Sequence, residues 1–334
     1  MMIYIGIIAA ISLWAVLCPK LFVNDKKKFI YGTFVLLGVL IALRADSVGA
    51  DTKGYLLSFY EYADHSFNEM IQVFQNGGVE VGYMLLVKLL DALTSDSRSI
   101  LIFEGCIVAI CYAYFFDKNT SNMKEAYICI LGYLAFNLFA FQLTGVRQSI
   151  AMAICILSFE SIKKKQLVKF LIIVLFASTF HTASLFFIPA YFVTMLDVKK
   201  VTAKFVAVAV GALVISNASR VLSIATGVSE RYADYGVEST DSGYMFFAIM
   251  VLIFFLAEYV MNSLVHGESE NEIVTIASLE TVNCLISINY IAFALWCMRL
   301  VSRTAERPSL FFLPITIVLL SKLYKGFTEE SQKI

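Results

Sequence analysis

Four polar islands in an otherwise oily chain hold side chains able to bind an anion or move a proton. Arg44, Asp46, Asp51 and Lys53 gather with Gly49 and Gly54; Glu80 precedes Gly82; Arg147 and Gln148 open an apolar run; His181 lies in the middle of another. Arginine offers a rigid, permanently charged fork that matches phosphate or carboxylate. A histidine inside an apolar run accepts or donates a proton near neutral pH, and ionisable residues in such runs mark functional sites by default. Asp51 and Glu80 supply carboxylates, Asp51 beside backbone that Gly49 and Gly54 let bend closely around a ligand.

Each of these residues also has a plainer use. Asp51 and Glu80 can sit at the N-termini of the helices that follow them. Arg147 falls in a first helical turn, where the helix dipole disfavours a cation, so either an anion binds there or the guanidinium snorkels to lipid phosphate. His181 can be no more than a satisfied hydrogen-bonder. Arg299, Arg303 and Arg307 recur at i, i+4 and i+8 on one helical face. They repel one another unless an anion or Glu306 offsets them, and Arg303 is the foremost of the three. Arg231, with Tyr232, Asp234 and Tyr235 nearby, has the setting of a carbohydrate contact. Glu104 either pairs with one of the arginines or acts as a second carboxylate.

Composition dictates what positions these groups. With 59% hydrophobic residues, 16% charged and four prolines, and a mean hydropathy of +0.78, the chain reads as an all-α polytopic integral membrane protein. Lys plus Arg equals Asp plus Glu at 26 each, and no basic tail stands out, so a nucleic-acid partner is excluded. The seven cysteines lie in or beside apolar runs without Cys/His ligand spacing, and His65 and His266 fall in loops. No metal site and no cofactor are expected. The first run lacks a basic leader and a small-x-small cleavage site, and is expected to stay as the first transmembrane helix.

Runs able to cross or nearly cross a hydrocarbon layer of about 30 Å fall at about 2–18, 29–43, 98–116, 126–143, 147–162, 203–222, 243–263, 274–296 and 308–324. The run 168–196 is too long for one helix and carries Ser178, Thr179, His181, Thr182 and Ser184 at its centre. It is either one kinked span or a hairpin of two short helices with its tip near His181. Lysine in short loops favours the cytoplasm. Lys20 and Lys26 to Lys28 put the first loop inside and the N-terminus outside, and Lys163 to Lys165 also fall inside. A single crossing would then leave Lys199, Lys200 and Lys204 outside, whereas a hairpin puts them inside and gives about 10–11 transmembrane helices. On that topology the arginines collect at the outer face, although lysines dominate the inner one.

The excursion 44–97 becomes an extracytoplasmic loop of a single membrane domain covering 1–334, with 223–242 as a second outer loop. Ser58 to Phe74 fits an amphipathic helix at the interface, broken by Gln75-Asn76-Gly77-Gly78. Val81 to Leu93 is apolar but too short to cross, which suits a re-entrant helix.

The ordered set RADSVGADTKGY from Arg44, VEVGYMLLVKLL from Val79, TGVRQSIAMAICILSF from Thr144 and LFASTFHTASLFFIPAYF from Leu175 resembles the EpsG family, membrane proteins of exopolysaccharide and capsule biosynthesis similar to Wzy-type polymerases. The resemblance implies polymerisation of oligosaccharide repeat units carried on undecaprenyl diphosphate, at the outer face of a bacterial cytoplasmic membrane. It implies as partners the lipid-linked unit, the growing polysaccharide, membrane lipid, and chain-length regulator or export proteins. Carried over by residue, it points to Arg44 and Asp51, Glu80, Arg147 and Gln148, and His181. Where the family tends to place an aromatic pair after its late arginine, Glu306-Arg307-Pro308 stands here. In this reading His181, Asp51 and Arg147 are catalytic; Arg44, Glu80, Gln148, Arg231, Arg299, Arg303 and Arg307 bind substrate.

Two other classes compete. A flippase or transporter of lipid-linked sugar would also place charge along an inward path, where only Glu160, Glu258 and Glu280 stand. A membrane acyltransferase would need a carboxylate to orient His181, and no sequence neighbour offers one. The hairpin makes a topological prediction: Lys199→Cys and Lys200→Cys, in a cysteine-free background, escape a membrane-impermeant thiol reagent applied from outside. Outside labelling of either would establish a single crossing.

Overall fold

The computed structural model describes residues 2–21, 25–195, 244–266, 276–297 and 304–331. The expected 203–222 span, the 223–242 loop with Arg231, the lysines at 199, 200 and 204, and Arg299 and Arg303 lie outside them. Every regular element among the described residues is a helix, and none is a strand. In chain order the helices are α1 Met2–Leu21, α2 Asp25–Ala42, α3 Thr52–Asp64, α4 Phe67–Gln75, α5 Val81–Thr94, α6 Ser99–Asn119, α7 Met123–Ala135, α8 Leu138–Gln142, α9 Val146–Ile156, α10 Phe159–Lys163, α11 Leu167–Ser178, α12 Pro189–Val193, α13 Tyr244–His266, α14 Ile276–Cys297 and α15 Leu313–Ser331. Short 3-10 helices cover Thr182–Phe187 and Thr304–Phe311.

Two described helices, Tyr4–Leu21 and Ser99–Asn119, are long and apolar enough to cross a membrane. Shorter apolar helices include Leu167–Ser178, Thr182–Val193, Phe247–Tyr259 and Leu313–Lys322. The 126–143 and 147–162 runs are each broken, the first at Asn137 in a left-handed conformation (φ 65°), the second at Leu157 and Ser158. Leu13, Val16, Val35, Ile110, Leu252 and Phe255 point outward and exposed, a surface that suits hydrocarbon better than water.

The interfacial helix expected over 58–74 is two helices. Ser66 accepts from the Glu69 N–H while Glu69 accepts from the Ser66 N–H, a capping box that starts α4 afresh. Lys88 of α5 donates to the Ala63 and His65 carbonyls at 2.9 and 3.0 Å, satisfying the C-terminal end of α3.

The chain divides into two compact units, Met1–Ser158 with Ile172–Ser184, and Phe159–Leu171 with Leu185–Ile334. In the first, Phe34 of α2 meets Tyr133 of α7 at 5.2 Å and Phe116 of α6 at 5.7 Å between ring centroids. Helices α2 and α6 cross at Gly38 and Gly105, where a side chain on Gly38 would stand 2.7 Å from the Gly105 carbonyl oxygen and 2.9 Å from Ala109. Small residues let the backbones approach this closely, and the crossing brings the end of α2 level with Glu104. In the second unit α13, α14 and α15 pack together. There Phe254 stacks on Phe293 at 4.8 Å, and buried Thr316 donates to Asn289 Oδ1 at 2.9 Å.

The described part of the 168–196 run, 168–195, turns back on itself. Ser184 donates to the Val174 carbonyl at 3.4 Å, and Phe170 meets the Tyr191 ring at 5.3 Å. A straight helix would hold such residues well over ~10 Å apart at 1.5 Å per residue. The turn lies at Thr179 to His181, between α11 and the 3-10 segment.

The crossing predicts a selective cost. In Gly105→Ala the new methyl meets the Gly38 carbonyl oxygen and Ala42; overpacking of this kind costs about 1–3 kcal/mol. Gly6→Ala, inside α1 with nothing within 4 Å, is expected to leave stability unchanged or raise it by up to about 1 kcal/mol through helix propensity. Thermal unfolding of the two variants in one detergent measures the difference.

Candidate active site

Glu80 occupies the N-cap position of α5 with extended backbone and makes no side-chain capping bond, so its carboxylate is available elsewhere. The first turn of α5 lies against the break after α11: a side chain on Gly82 would strike the Thr179 hydroxyl and stand 2.7 Å from its carbonyl oxygen. Only glycine leaves room for that approach, which delivers Glu80 to the hairpin tip.

One carboxylate then serves three segments. Oε1 accepts from the Thr182 N–H at 3.0 Å and the Thr182 hydroxyl at 3.4 Å, and lies 3.0 Å from His181 Nδ1. Oε2 accepts from Arg147 Nη1, in the first turn of α9. The Thr182 N–H opens a 3-10 turn and has no earlier carbonyl to bond, so Glu80 caps that turn from another element. An ionised carboxylate only accepts hydrogen bonds; Nδ1 of His181 therefore carries the proton and Nε2 is the basic nitrogen. Side-chain exposure is 5% for Glu80, 16% for Arg147 and 12% for His181.

Burial alone would raise the Glu80 carboxyl. The His181 hydrogen bond, the Arg147 charge and the Thr182 N–H outweigh it and hold the group down at about 2. The Tyr55 hydroxyl lies beside the Arg147 guanidinium, and the Tyr55 ring meets the fully buried Tyr83 ring edge-on at 6.0 Å.

The structure thus brings Glu80, Arg147 and His181 together. The anion that offsets Arg147 against the helix dipole is Glu80. The carboxylate that sequence reading could not supply to His181 is the same residue, 101 positions away. Thr182 and Tyr55 complete the cluster; their only signal in sequence was adjacency to His181 and membership of the Arg44 to Tyr55 stretch.

The remaining residues sit elsewhere. Arg44 is buried: Nη1 bonds Glu104 Oε2 and the Ile41 carbonyl at 2.9 and 2.8 Å, and Nε donates to Thr52 Oγ1 at 3.2 Å. That settles the partner of Glu104. Arg98, absent from the sequence-derived set, bridges Asp46 and the Arg44 carbonyl at 2.7 Å each. Asp51 is exposed at the N-cap position of α3 without a side-chain capping bond. Gly49, at φ 86°, gives passage to the Leu143 carbonyl and so serves packing, while Gly54 borders open space. Gln148 is buried on α9, and Arg307 is half-buried in the second unit.

A family model described as the EpsG family matches residues 27–334. No curated protein and no solved structure matches the chain.

The shared carboxylate predicts an acid-sensitive structure. Because the folded group lies below its ordinary value, its contribution is present above the unfolded value near ~4.3 and is lost as pH falls through about 2. The loss expected is about 3 kcal/mol, read as a fall in unfolding temperature of the detergent-solubilised protein between these limits. Glu80→Gln should be less stable at neutral pH and show a flatter acid limb.

Proposed function

We propose, from the premise that this chain belongs to the EpsG family, that it joins oligosaccharide repeat units carried on undecaprenyl diphosphate into exopolysaccharide or capsule at the outer face of a bacterial cytoplasmic membrane. Family membership makes it a membrane-associated protein of exopolysaccharide biosynthesis with polymerase-like character. A multi-pass chain of about 10–11 spans, with its site on the extracytoplasmic side, accords with the lysine distribution. The observation that carries the reading is the Glu80 carboxylate joined at once to Arg147 and His181.

In this scheme Nε2 of His181 takes the proton of the acceptor hydroxyl as the oxygen attacks the anomeric carbon of the donor sugar. The bond from that carbon to the diphosphate oxygen breaks, and the electron pair leaves with the diphosphate. Arg147 offsets the growing charge, a role a guanidinium fills in a partly dry site; Arg299, Arg303 and Arg307 bind substrate. Glu80 keeps the imidazole in the correct tautomer and stabilises the imidazolium. The base is His181 and not Asp51, because His181 has an orienting carboxylate and Asp51 is exposed; Asp51 is left to bind a sugar hydroxyl at the rim. Arg44 supports the site from its pair with Glu104, and Gln148 and Arg231 contact substrate.

The same His181–Glu80 pair favours a second reading, a membrane acyltransferase that modifies polysaccharide, since its base needs an oriented histidine. The test is polymer formation by the purified protein in nanodiscs from a lipid-linked repeat unit. His181→Ala should lower the rate about 10²–10⁴-fold, and Arg147→Ala about 10²–10³-fold. Folded variants with full activity would sink the assignment. In cells, deletion should leave single lipid-linked units at the outer face; their absence there would indicate a flippase, and full-length glycan lacking acyl groups an acyltransferase.

A further inference from the structure

We propose that Glu80 is an exchangeable counter-ion: a phosphate-bearing donor draws Arg147 off the carboxylate, and the released charge then makes His181 the stronger base. The direction of use rests on the glycosyl-transfer reading above; the exchange itself rests on geometry. Glu80 spends its two oxygens on different partners, Oε2 on Arg147 and Oε1 on His181 and Thr182. While Arg147 is in place, the carboxylate charge is shared between the guanidinium and the ring. With Arg147 gone, the full charge faces His181 across one hydrogen bond.

The two halves of the bridge differ in reach. Arg147 keeps 16% of its side chain accessible and Glu80 only 5%, so an arriving anion meets the guanidinium first. Its Nε is buried without a partner among the described residues, leaving a donor that a doubly charged oxyanion can take up. Phosphate oxygens suit the guanidinium fork and carry more charge than one carboxylate. Glu80 does not follow, because the Thr182 N–H and hydroxyl and His181 hold Oε1. Among the described residues, the groups that face this exchange are Arg147 and His181 around Glu80, and Tyr55, Tyr83 and Glu80 around Arg147. Glu80 is thus a positioning residue that ties proton abstraction to a seated donor, so the base is strengthened only where a leaving group is present.

The test reads the His181 ring directly. In the full-length protein carrying ¹⁵N-histidine, with the signal assigned through His181→Asn, the ratio of imidazolium to imidazole is measured at fixed pH near neutrality, with and without inorganic pyrophosphate. The wild-type ratio should rise about tenfold on adding pyrophosphate, the scale of one nearby charge. In Arg147→Gln the ratio should be raised by a similar factor before any ligand and then not respond. Glu80→Gln should lower the ratio and abolish the response; if it does not fold, the other two arms decide.

A wild-type ratio that stays fixed, whether or not pyrophosphate binds, overturns the exchange, as does an Arg147→Gln ratio equal to wild type. Polymer formation by a protein whose His181 does not respond would remove this inference and leave the polymerase reading. A responsive His181 in a protein that makes no polymer would do the reverse.

Discussion

Burying a carboxylate among apolar helices costs several kcal/mol unless charge and hydrogen bonds meet it, and the arrangement around Glu80 follows from that constraint. Its compensation comes from Arg147 at the start of α9 and from His181 and Thr182 at the hairpin tip, while Glu80 itself starts α5. Three segments distant in sequence are therefore held to one another by one side chain. Removing any partner leaves charge or a donor stranded unless another group takes its place. The same constraint explains why Gly82 must lack a side chain: a methyl there would push Glu80 away from Thr179 and the tip behind it.

A second ion pair in the same unit answers a different need. Arg44 and Glu104 have side-chain exposures of 1% and 0%, and the guanidinium also holds the Ile41 carbonyl and Thr52. It stands where Gly38 and Gly105 let α2 and α6 cross closely, and it pins the first residues of α3 to that crossing. Sealed on all sides, it offers nothing to a ligand from outside. Arg147 and His181 are mostly buried yet reachable. The contrast separates an ion pair sealed within the bundle from one that keeps some accessible surface.

Much of this was legible in the chain. Apolar runs marked the helices, and their polar interruptions marked the breaks, because an unpaired peptide group is tolerated in such surroundings only where something else meets it. Glu80, Arg147 and His181 stood out singly as ionisable residues in apolar context. Their meeting did not, since 67 and 101 residues separate Glu80 from its partners and no periodicity spans such distances. The split between α3 and α4 was missed for a local reason: the capping box at Ser66 and Glu69 overrode an amphipathic pattern that ran on through it. Arg44 misled because its charge reads as exposed until the Gly38 and Gly105 crossing is known to supply Glu104.

The polar middle of the 168–196 run was the least comfortable feature of the sequence, and the geometry gives it a reason. In a continuous helix the Thr182 N–H would bond the carbonyl four residues earlier, at Ser178. It would then be spent, and the imidazole before it would point along the helix face. Breaking the helix at Thr179 to His181 frees that N–H and turns it to Glu80 beside Nδ1 of His181. Both donors converge on one oxygen, which leaves the other for Arg147. An unbroken span could present the histidine or the N–H to Glu80, but not both, and the carboxylate would then lack the hydrogen bonds that hold it ionised beside Arg147.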